Sequence, residues 1–357
     1  MTPLEETLRR QIAQTGPVSV ADYMALCLLH PRHGYYMQAD PLGAQGDFTT
    51  APEISQMFGE MLGLCLAQAW MDQGSPAPFT LAELGPGRGT LMADALRATR
   101  PVPGFHAAMR LALVEASPAL QARQAEALAG YAVSWCDAAT DLPQGPLFAI
   151  ANEFFDALPV RQFIRDPAGW RERRVGLRDG ALAFGAADPQ DVPELTARRD
   201  GTRDGELVEL RPGAAPVIAE IAGRIAGAGA GAALILDYGD WESRGDTLQA
   251  VRGHRPVDPL DGPGTADLTA HVDFAPLARA ARAAGAAVTP LTPQGVLLEQ
   301  LGITPRAQAL ARNLSGAARE SHVAAHRRLT HPEEMGSLFK AIGIYPNQAM
   351  PPPGFDP

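Results

Sequence analysis

One short segment constrains the fold of this chain more than any other. An apolar run at 79–84 leads into Gly85, Gly87 and Gly89, and a helical pattern begins at Thr90. Glycines let a backbone turn sharply and approach a ligand closely, and the amide groups at the start of the following helix attract a carboxylate or a phosphate. The segment therefore predicts a strand, a ligand-binding loop and a helix of an α/β domain. The alternative is a tight turn that binds nothing.

The spacing of these glycines bears on which ligand the loop accepts. The dinucleotide motif GxGxxG requires its third glycine where this chain has Thr90, so NAD or FAD fits less well than a methyl donor bound by GxGxG. Glu115 ends the next apolar run, where an acidic side chain can accept hydrogen bonds from both hydroxyls of a ribose. The loop and the acid together favour a nucleoside ligand.

Apolar and helical segments alternate from residue 79 onward. Short apolar runs lie at 79–84, 109–114, 132–135, 147–151 and 232–236, with helical patterns such as 90–98 and 118–129 between several of them. This alternation predicts βαβ units in a mostly parallel, twisted sheet with helices on both faces, which is a Rossmann-like α/β fold.

The remaining segments give the expected domain organisation. We expect a helical region with a lid loop at 1–78, followed by the main α/β domain at 79–350. An antiparallel β unit is predicted as an insertion in that domain at about 158–207. Helices are expected to continue to about residue 343, and residues 351–357 are predicted to form an extended tail.

Polar side chains follow the fourth apolar run abruptly. Asn152, Glu153 and Asp156 come directly after the run at 147–151. In open α/β sheets the ligand crevice lies beyond the carboxyl ends of the strands, which makes these residues active-site candidates. The alternative is that Asn152 and Asp156 cap the next helix while the phenylalanines between them pack in the core.

Two further acids follow apolar runs at the same predicted edge of the sheet. Asp137 ends the third run, where a carboxylate can meet an adenine amino group; a solvated loop acid or a helix cap is an equal alternative. Asp237 follows the run at 232–236, and an ordinary turn is the alternative there.

The composition excludes several classes of function. The net charge is −10 and the arginines are scattered singly or in short pairs, so no nucleic-acid partner is expected. The single lysine, Lys340, lies far from the glycine loop, which excludes a P-loop and disfavours Schiff-base chemistry. Three cysteines without CxxC spacing indicate neither a disulfide framework nor a zinc cluster.

The histidines predict no metal centre. His322 and His326 have the i, i+4 spacing of one helix face, but the HEXXH motif and a third ligand are missing. His254 and His271 flank a loop rich in proline, glycine and aspartate, where they either line a substrate cleft or form only local hydrogen bonds.

The N-terminal sequence predicts an amphipathic helix. Acidic residues occur early and no long apolar run is present, which is not the pattern of a signal or transit peptide. We therefore expect a cytoplasmic protein without a membrane-inserted segment.

Six segments of the sequence resemble motifs of the MidA-like family. They are Gly46–Ser55, Glu83–Met92, Val114–Pro118, Asn152–Pro159, Asp237–Gly239 and Ala266–Phe274. The resemblance spans nearly the whole chain, and the family includes the mitochondrial complex I assembly-factor methyltransferase. It implies a class I methyltransferase fold with S-adenosylmethionine as cofactor. For the mitochondrial member it also implies symmetric dimethylation of an arginine on a complex I subunit, so a protein substrate of this kind is the expected partner.

The resemblance implies that Gly85, Gly87, Gly89 and Glu115 hold the methyl donor and that residues 152–156 border the reacting centre. Together with the acids at the strand ends, this gives the expected site. The expected cofactor-binding residues are Glu83, Gly85, Gly87, Gly89, Glu115, Asp137 and Asn152. The expected catalytic residues are Glu53, Glu153 and Asp156, with the loop at 46–55 closing over the cofactor. Carboxylates suit an arginine acceptor because its guanidinium is cationic and must lose a proton as it reacts.

Two other functions remain as alternatives. A nucleotide-dependent oxidoreductase has a similar sheet, but the glycine spacing disfavours it. A non-catalytic complex I assembly chaperone would retain the cofactor pocket as a relic. The adjacent polar residues Asn152 and Glu153 argue against the chaperone, because a scaffold has little use for an acid at a cleft.

Overall fold

The computed structural model describes residues 1–38 and 50–355. Residues 46–49 of the predicted lid loop therefore lie outside the described residues. Two compact units are present. Residues 50–155, 215–241 and 272–355 form the central-sheet unit, and residues 1–38, 156–214 and 242–271 form the antiparallel unit. The predicted domain boundaries near residues 78 and 350 remain a prediction.

Both units contain helices. In chain order they are α1 (Pro3–Thr15), α2 (Val20–Leu29), α3 (Tyr35–Gln38), α4 (Ala51–Ile54), α5 (Gln56–Asp72), α6 (Thr90–Thr99), α7 (Phe105–Ala108), α8 (Pro118–Ala127), α9 (Ala214–Ala228), α10 (Phe274–Ala283), α11 (Gln294–Gln300), α12 (Ile303–Ala311) and α13 (Gly316–Thr330). Short 3-10 helices lie at Ala139–Asp141 and Pro193–Arg198, and a π-helical turn lies at Pro332–Gly336.

Strands also occur in both units. They are β1 (Val18–Ser19), β2 (Phe79–Leu84), β3 (Met109–Val114), β4 (Val133–Cys136), β5 (Leu147–Asn152), β6 (Arg161–Asp166), β7 (Gly169–Arg178), β8 (Ala181–Gln190), β9 (Leu207–Leu210), β10 (Gly231–Asp240), β11 (Gln249–Arg252), β12 (Arg255–Val257), β13 (Asp267–Thr269), β14 (Val272–Asp273), β15 (Ala286–Val288), β16 (Thr292–Pro293) and β17 (Phe339–Pro346).

One large sheet organises the central-sheet unit. Its strand order is β15-β17-β10-β5-β2-β3-β4, and the five strands from β10 to β4 pair in parallel. All residues of β2 and β5 are buried, which is the pattern of parallel strands that are covered on both faces. The Rossmann-like α/β fold predicted from the sequence is confirmed.

The register of this sheet places the ends of three strands level with one another. Leu84, the last residue of β2, pairs with Val114 of β3 and with Ala151 of β5. The segments that follow these strands therefore begin at the same edge of the sheet. This edge carries the glycine loop, Glu115 and the polar residues that follow β5.

The C-terminal region differs from its prediction. The sequence predicts helix to about residue 343, but Phe339–Pro346 forms β17, which runs antiparallel to β10 and to β15. Local sequence does not reveal this strand because its partners lie far away in the chain. Phe355 of the predicted extended tail is buried in the apolar core.

Close packing of α5 against α6 fixes the helix that follows the glycine loop. A Cβ atom added at Gly59 would lie 2.7 Å from the carbonyl oxygen of Leu91, and one added at Gly63 would lie 2.7 Å from Cα of Ala95. The two helix backbones are therefore in contact, and a side chain at either glycine would push them apart.

The antiparallel unit contains the predicted β insertion. Its sheet has the order β1-β7-β6-β9, and β8 pairs with β7. Arg178 pairs with Ala181, so the β7–β8 hairpin turns at Asp179 and Gly180, which have φ values of 51° and 78°. Two successive residues with positive φ form a type I′ turn, whose twist matches that of the two strands it connects. The sequence Asp-Gly favours this turn.

A second small sheet in the antiparallel unit is not predicted from the sequence. Strands β11, β12 and β13 form it within a passage whose glycines, prolines and aspartates indicate loops. Gly253 and His254, with φ values of 57° and 59°, form the tight turn between β11 and β12. The exposed His254 therefore lies in a hairpin turn.

Candidate active site

The backbone conformation of the glycine loop favours glycine at three positions. Gly85, Gly87 and Gly89 have φ values of 63°, 53° and 83°, in the left-handed region that other residues rarely occupy. A Cβ atom at Gly85 would also lie 2.9 Å from the ring of Phe154. Gly89 precedes α6 and provides no side chain to cap its first turn, and the backbone amide of Met92 in that turn donates to the carboxylate of Glu83.

Glu115 lies just beyond the carboxyl end of β3, beside this loop. Its Oε1 accepts a hydrogen bond from the backbone amide of Ser117 at 2.8 Å, and its Oε2 accepts one from Nε2 of Gln124 at 3.1 Å. Burial raises the pKa of Glu115, and the two hydrogen bonds oppose that rise. The carboxylate is thus held in place while remaining partly exposed.

Sequence reasoning missed Gln124, whose amide also donates to the carbonyl oxygen of Gly87 at 2.8 Å. A signal was present in the sequence. Gln124 is a polar residue between Leu120 and Leu128 at the i, i+4 spacing of a buried helix face, and all three side chains are buried. A buried amide on such a face requires partners, which indicates a role in holding other groups.

Glu83, at the end of β2, is a buried acid with an unusual pKa. Burial, reinforced by the negative charge of Glu115, raises the pKa of Glu83 to about 8, against a hydrogen bond from the backbone of Met92. Among the residues that the structure describes, Oε2 of Glu83 has no hydrogen-bond partner. The side chain therefore has a capacity for hydrogen bonding that a ligand can use.

Glu153 follows β5 with a backbone φ of 51°, an uncommon value for a residue other than glycine. Its Oε1 accepts hydrogen bonds from the backbone amide of Ala51 and from Nδ2 of Asn152, both at 3.1 Å. Oδ1 of Asn152 is buried and has no hydrogen-bond partner in the described part of the chain. Strained backbone next to an incompletely bonded polar group is characteristic of binding and catalytic sites.

Helix α4 joins this carboxylate to the glycine loop. Ala51, its first residue, binds Glu153, and Glu53 lies two residues further along the same helix. Oε1 of Glu53 accepts a hydrogen bond from Oγ1 of Thr90 at 2.6 Å, and its Oε2 lies 4.0 Å from Arg88. The structure therefore brings Glu53 and Glu153 together with the first residue of α6.

Comparison with known proteins identifies the family. A family model described as "Putative S-adenosyl-L-methionine-dependent methyltransferase" matches residues 61–292. The curated mouse protein "Protein arginine methyltransferase NDUFAF7, mitochondrial" is 39% identical, over 98% of this chain and 86% of its own length. Its human counterpart is 37% identical, over 98% of this chain and 85% of its own length. The chain belongs to the MidA-like family of S-adenosylmethionine-dependent methyltransferases.

A solved structure supports the same conclusion for this methyltransferase. A protein from Burkholderia thailandensis bound to S-adenosyl-homocysteine is 30% identical, with a TM-score of 0.81, and the match covers 99% of this chain and 92% of that one. The class I methyltransferase fold and the cofactor S-adenosylmethionine, both implied by the sequence motifs, are confirmed. The family also decides against the oxidoreductase and the non-catalytic chaperone.

The predicted cytoplasmic location of the methyltransferase is wrong. The mouse, human and rat relatives are all named as mitochondrial proteins. The prediction rested on the N-terminal sequence, which forms the amphipathic helix α1 as expected. An amphipathic helix is compatible with more than one compartment, so it could not decide the location. No helix within residues 1–38 and 50–355 is long and apolar enough to cross a bilayer.

Three predicted acids of the methyltransferase are placed differently from Glu53 and Glu153. Asp137 is exposed just after β4. Asp237 is fully buried and accepts hydrogen bonds from the backbone amides of Phe155 and Tyr238, both at 3.0 Å, so it fixes the chain that follows β5. Asp156 belongs to the antiparallel unit, where it is buried.

The surroundings of Asp156 are themselves acidic. The pKa of Tyr36 is raised by burial and by the negative charges of Asp267 and Asp156, and its hydroxyl donates to Oδ1 of Asp267 at 2.8 Å. Asp156 contributes its backbone carbonyl oxygen to the amide of Ala270. The catalytic role predicted for Asp156 therefore remains a prediction.

The paired histidines contact neighbouring helices. Nε2 of His322 donates to the carbonyl oxygen of Ala307 at 2.9 Å, and Nε2 of His326 lies 2.9 Å from Oγ1 of Thr304. Across residues 1–38 and 50–355, no three histidine, cysteine or acidic side chains are grouped to hold a metal ion. The amide of His271 donates to Oγ1 of Thr247.

Proposed function

We propose that this methyltransferase transfers the methyl group of S-adenosylmethionine to an arginine side chain of a protein. The observation that carries the proposal is the carboxylate of Glu153, held on strained backbone at the carboxyl end of a central parallel strand. Relatives that are 35–39% identical and are named protein arginine methyltransferases give further support.

The polar groups around the glycine loop fit the chemical groups of the cofactor. The first turn of α6, which has no side-chain cap, suits its carboxylate, and Glu115 suits its two ribose hydroxyls. The unpartnered buried oxygens of Glu83 and Asn152 suit its ammonium group. We assign these residues, with Gly85, Gly87 and Gly89, to cofactor binding. Asp137 is assigned to the adenine amino group on sequence grounds alone.

The carboxylates near α4 suit a guanidinium acceptor. A guanidinium is a planar cation with five N–H donors, and carboxylates bind it strongly and in a defined orientation. Glu153 has its Oε1 fixed by two donors, which leaves the direction of the carboxylate determined before the acceptor arrives. We assign Glu153 to orient the guanidinium, with Glu53 adding negative charge. Asp156 is assigned a catalytic role on sequence grounds alone.

The cofactor supplies an electrophilic methyl group bound to a sulfonium. The methyl–sulfur bond breaks as a bond to the arginine nitrogen forms, and the nitrogen then loses one proton. We assign Glu153 to accept that proton, so that the acceptor does not accumulate a second positive charge. The residues of the site thus contribute orientation, charge stabilisation and proton transfer, and a covalent enzyme intermediate is not required.

The identity of the acceptor protein is the most specific part of the proposal. The family resemblance includes an assembly factor of respiratory complex I, and we propose that the acceptor is a subunit of that complex or a similar protein. The methylated arginine is therefore a residue within a protein and not the free amino acid.

A transfer assay with isotope-labelled S-adenosylmethionine tests the proposal. Wild-type protein is incubated with candidate complex I subunits and with peptides that differ only by an arginine-to-lysine exchange, and mass spectrometry locates the methyl groups. We expect methylation of the arginine peptide or subunit only. Methylation of the lysine peptide alone would overturn the assignment of the acceptor.

Variants of two glutamates test the role of Glu153. We expect Glu153→Gln to lower turnover by at least about 100-fold, because it removes a proton acceptor, while the affinity for S-adenosylhomocysteine stays within about threefold. Glu126→Gln is the matched control, because Glu126 is an exposed glutamate on α8 in the same unit. Full turnover by the Glu153→Gln variant would remove that residue from the mechanism.

A further inference from the structure

Gln124 on α8 connects three parts of the central-sheet unit. Its side chain is fully buried. Nε2 donates to the carbonyl oxygen of Gly87 at 2.8 Å and to Oε2 of Glu115 at 3.1 Å, while Oε1 accepts from the indole Nε1 of Trp135 at 2.9 Å. One amide group thus contacts the glycine loop, the carboxylate that follows β3 and the side chain at the end of β4.

The chemistry of these partners determines the orientation of the amide. The indole of Trp135 can only donate, whereas the carbonyl oxygen of Gly87 and an ionised Glu115 can only accept. The oxygen of Gln124 must therefore face Trp135, and its two N–H groups must face the other two partners. A glutamate lacks the two donors, and an apolar side chain offers no hydrogen bond at all. Glutamine has the required combination of one acceptor and two donors.

The backbone of α8 approaches the glycine loop at the same place. A Cβ atom added at Gly89 would lie 3.4 Å from Cα of Gln124, so the third glycine packs directly on this residue. Glu115 has a second hydrogen bond, from Ser117, but that bond lies within the local turn before α8. The contact with Gln124 is the one that ties the carboxylate to the glycine loop.

We propose that Gln124 is a positioning residue that holds Glu115 and the glycine loop in one fixed geometry for the cofactor. This inference rests on the proposed contact of Glu115 with the ribose. Gln124 acts through its neighbours, since its own amide is fully used by Gly87, Glu115 and Trp135. Without it, the carboxylate loses a donor and the loop loses its link to α8.

Calorimetric titration with S-adenosylhomocysteine tests the inference without relying on turnover. Gln124→Met preserves the length of the side chain and removes all three hydrogen bonds. We expect its dissociation constant to rise by about 10- to 100-fold, as for the loss of hydrogen bonds to a charged group. Gln121→Met is the matched control, because Gln121 lies on the same helix and donates at 2.8 Å to the backbone oxygen of Glu115. The control is expected to bind within about twofold of wild type.

Kinetics distinguish positioning from a general loss of structure. If Gln124 positions the cofactor site, Gln124→Met raises KM for S-adenosylmethionine by about tenfold and changes kcat at saturation by less than about threefold. Misfolding of part of the sample would instead lower kcat and leave KM unchanged, and that pattern would overturn the proposal.

The Gln124→Glu variant provides an independent test with a pH signature. Near neutral pH it places a second carboxylate against Glu115, and we expect affinity for S-adenosylhomocysteine to fall at least as far as in Gln124→Met. Protonation of the new carboxyl restores one donor, so affinity should recover by about tenfold between pH 8 and pH 6. The wild type is titrated at the same two pH values, because Glu83 also ionises in this range. A recovery in the variant no larger than the change in wild type would contradict the proposed contact.

Glu115→Ala separates this inference from the function on which it rests. If Glu115→Ala binds S-adenosylhomocysteine as wild type does, the proposed cofactor contact is wrong. If Glu115→Ala binds weakly and Gln124→Met binds normally, only the role of Gln124 is wrong. If both bind weakly, the double variant should lose less than the product of the two single losses, because the residues act together. Fully additive losses would overturn their coupling.

Discussion

Two glutamates on strands, one in each unit, have opposite hydrogen-bonding environments. Burial raises the pKa of both. The carboxylate of Glu209 on β9 accepts hydrogen bonds from the amide and hydroxyl of Thr247 and from Nε2 of Gln162. Oε2 of Glu83 on β2 has no hydrogen-bond partner among the described residues. Glu209 therefore belongs to a complete internal network, whereas Glu83 retains bonding capacity at the end of a strand that leads into the glycine loop.

The difference shows that burial of an acid does not by itself indicate a binding site. A buried polar group with all its partners inside the protein stabilises a unit, and it requires nothing else. A buried group without a partner carries a desolvation cost that persists until another molecule contributes a partner. The hydrogen-bond partners of the carboxylate oxygens separate the two cases, and residue type does not.

The largest expected effect concerns the pH dependence of stability. The pKa of Glu83 is about 8 in the folded chain, raised by burial from an ordinary value of 4.5. Below pH 4.5 both states hold the proton; as the pH rises toward 8, only the unfolded chain releases it, so folding stability falls. The loss amounts to roughly 5 kcal/mol once the pH is well above 8. Glu83→Gln should remove this fall, as measured by chemical denaturation at pH 5, 7 and 9.

The same variant sharpens the contrast with Glu209. We expect Glu83→Gln to bind S-adenosylhomocysteine more weakly while being more stable than wild type at pH 9, because an unfavourable buried charge is gone. A variant that is less stable than wild type at pH 9 would show that the carboxylate of Glu83 is bonded as completely as that of Glu209.

Removal of Glu209 should have the reverse effect. Glu209→Leu leaves the amide and hydroxyl of Thr247 without their acceptor, and we expect the free energy of unfolding to fall by about 3 kcal/mol. The affinity for S-adenosylhomocysteine should stay within about twofold of wild type. Denaturation curves and calorimetry on the same preparation measure both quantities. Weaker cofactor binding with unchanged stability would show that Glu209 does not differ from Glu83 in the way described.

The same two units show what the sequence can predict. The glycine loop at 85–89 and the hairpin turn at Asp179–Gly180 are readable because a backbone with positive φ restricts the residue types that can occupy it locally. Strand β17 was missed because it is a strand only through its pairing with β10 and β15. Local patterns therefore identified the loops, but not all of the strands that complete the sheet.

The candidate site likewise has features that the sequence predicts and features that it does not. Glu115 and Glu153 could be found because each follows a strand at a predictable edge of the sheet. The hydrogen bond from Ala51 to Glu153 joins residues 102 positions apart, and no pattern near either residue predicts it. Gln124 likewise depends on contacts with three separate segments. The sequence thus indicates candidate site residues, and the structure shows which contacts hold them in position.

A smaller effect is expected from a glycine of the central-sheet unit. Gly85→Ala requires a residue with a side chain at a φ of 63° and moves the ring of Phe154, which would lie 2.9 Å from the new Cβ atom. We expect the free energy of unfolding to fall by about 2 kcal/mol. Binding of S-adenosylhomocysteine should weaken as well, because the displaced loop is the one assigned to the cofactor. Calorimetry that shows undiminished binding would exclude the loop from the cofactor site.

The smallest effect is expected at the corresponding glycine of the antiparallel unit. Gly180 has a φ of 78°, and a Cβ atom there would meet nothing within 4 Å. Gly180→Ala therefore incurs only the cost of the backbone conformation, about 1 kcal/mol of stability, without any change in cofactor affinity.

Gly185 on β8 is the matched control: its added Cβ atom also meets nothing, but its φ lies outside the left-handed region. Gly185→Ala should be neutral or slightly stabilising, since alanine restricts the unfolded chain more than glycine does. Equal destabilisation by the two substitutions in chemical denaturation would show that the turn conformation is not what requires glycine at position 180.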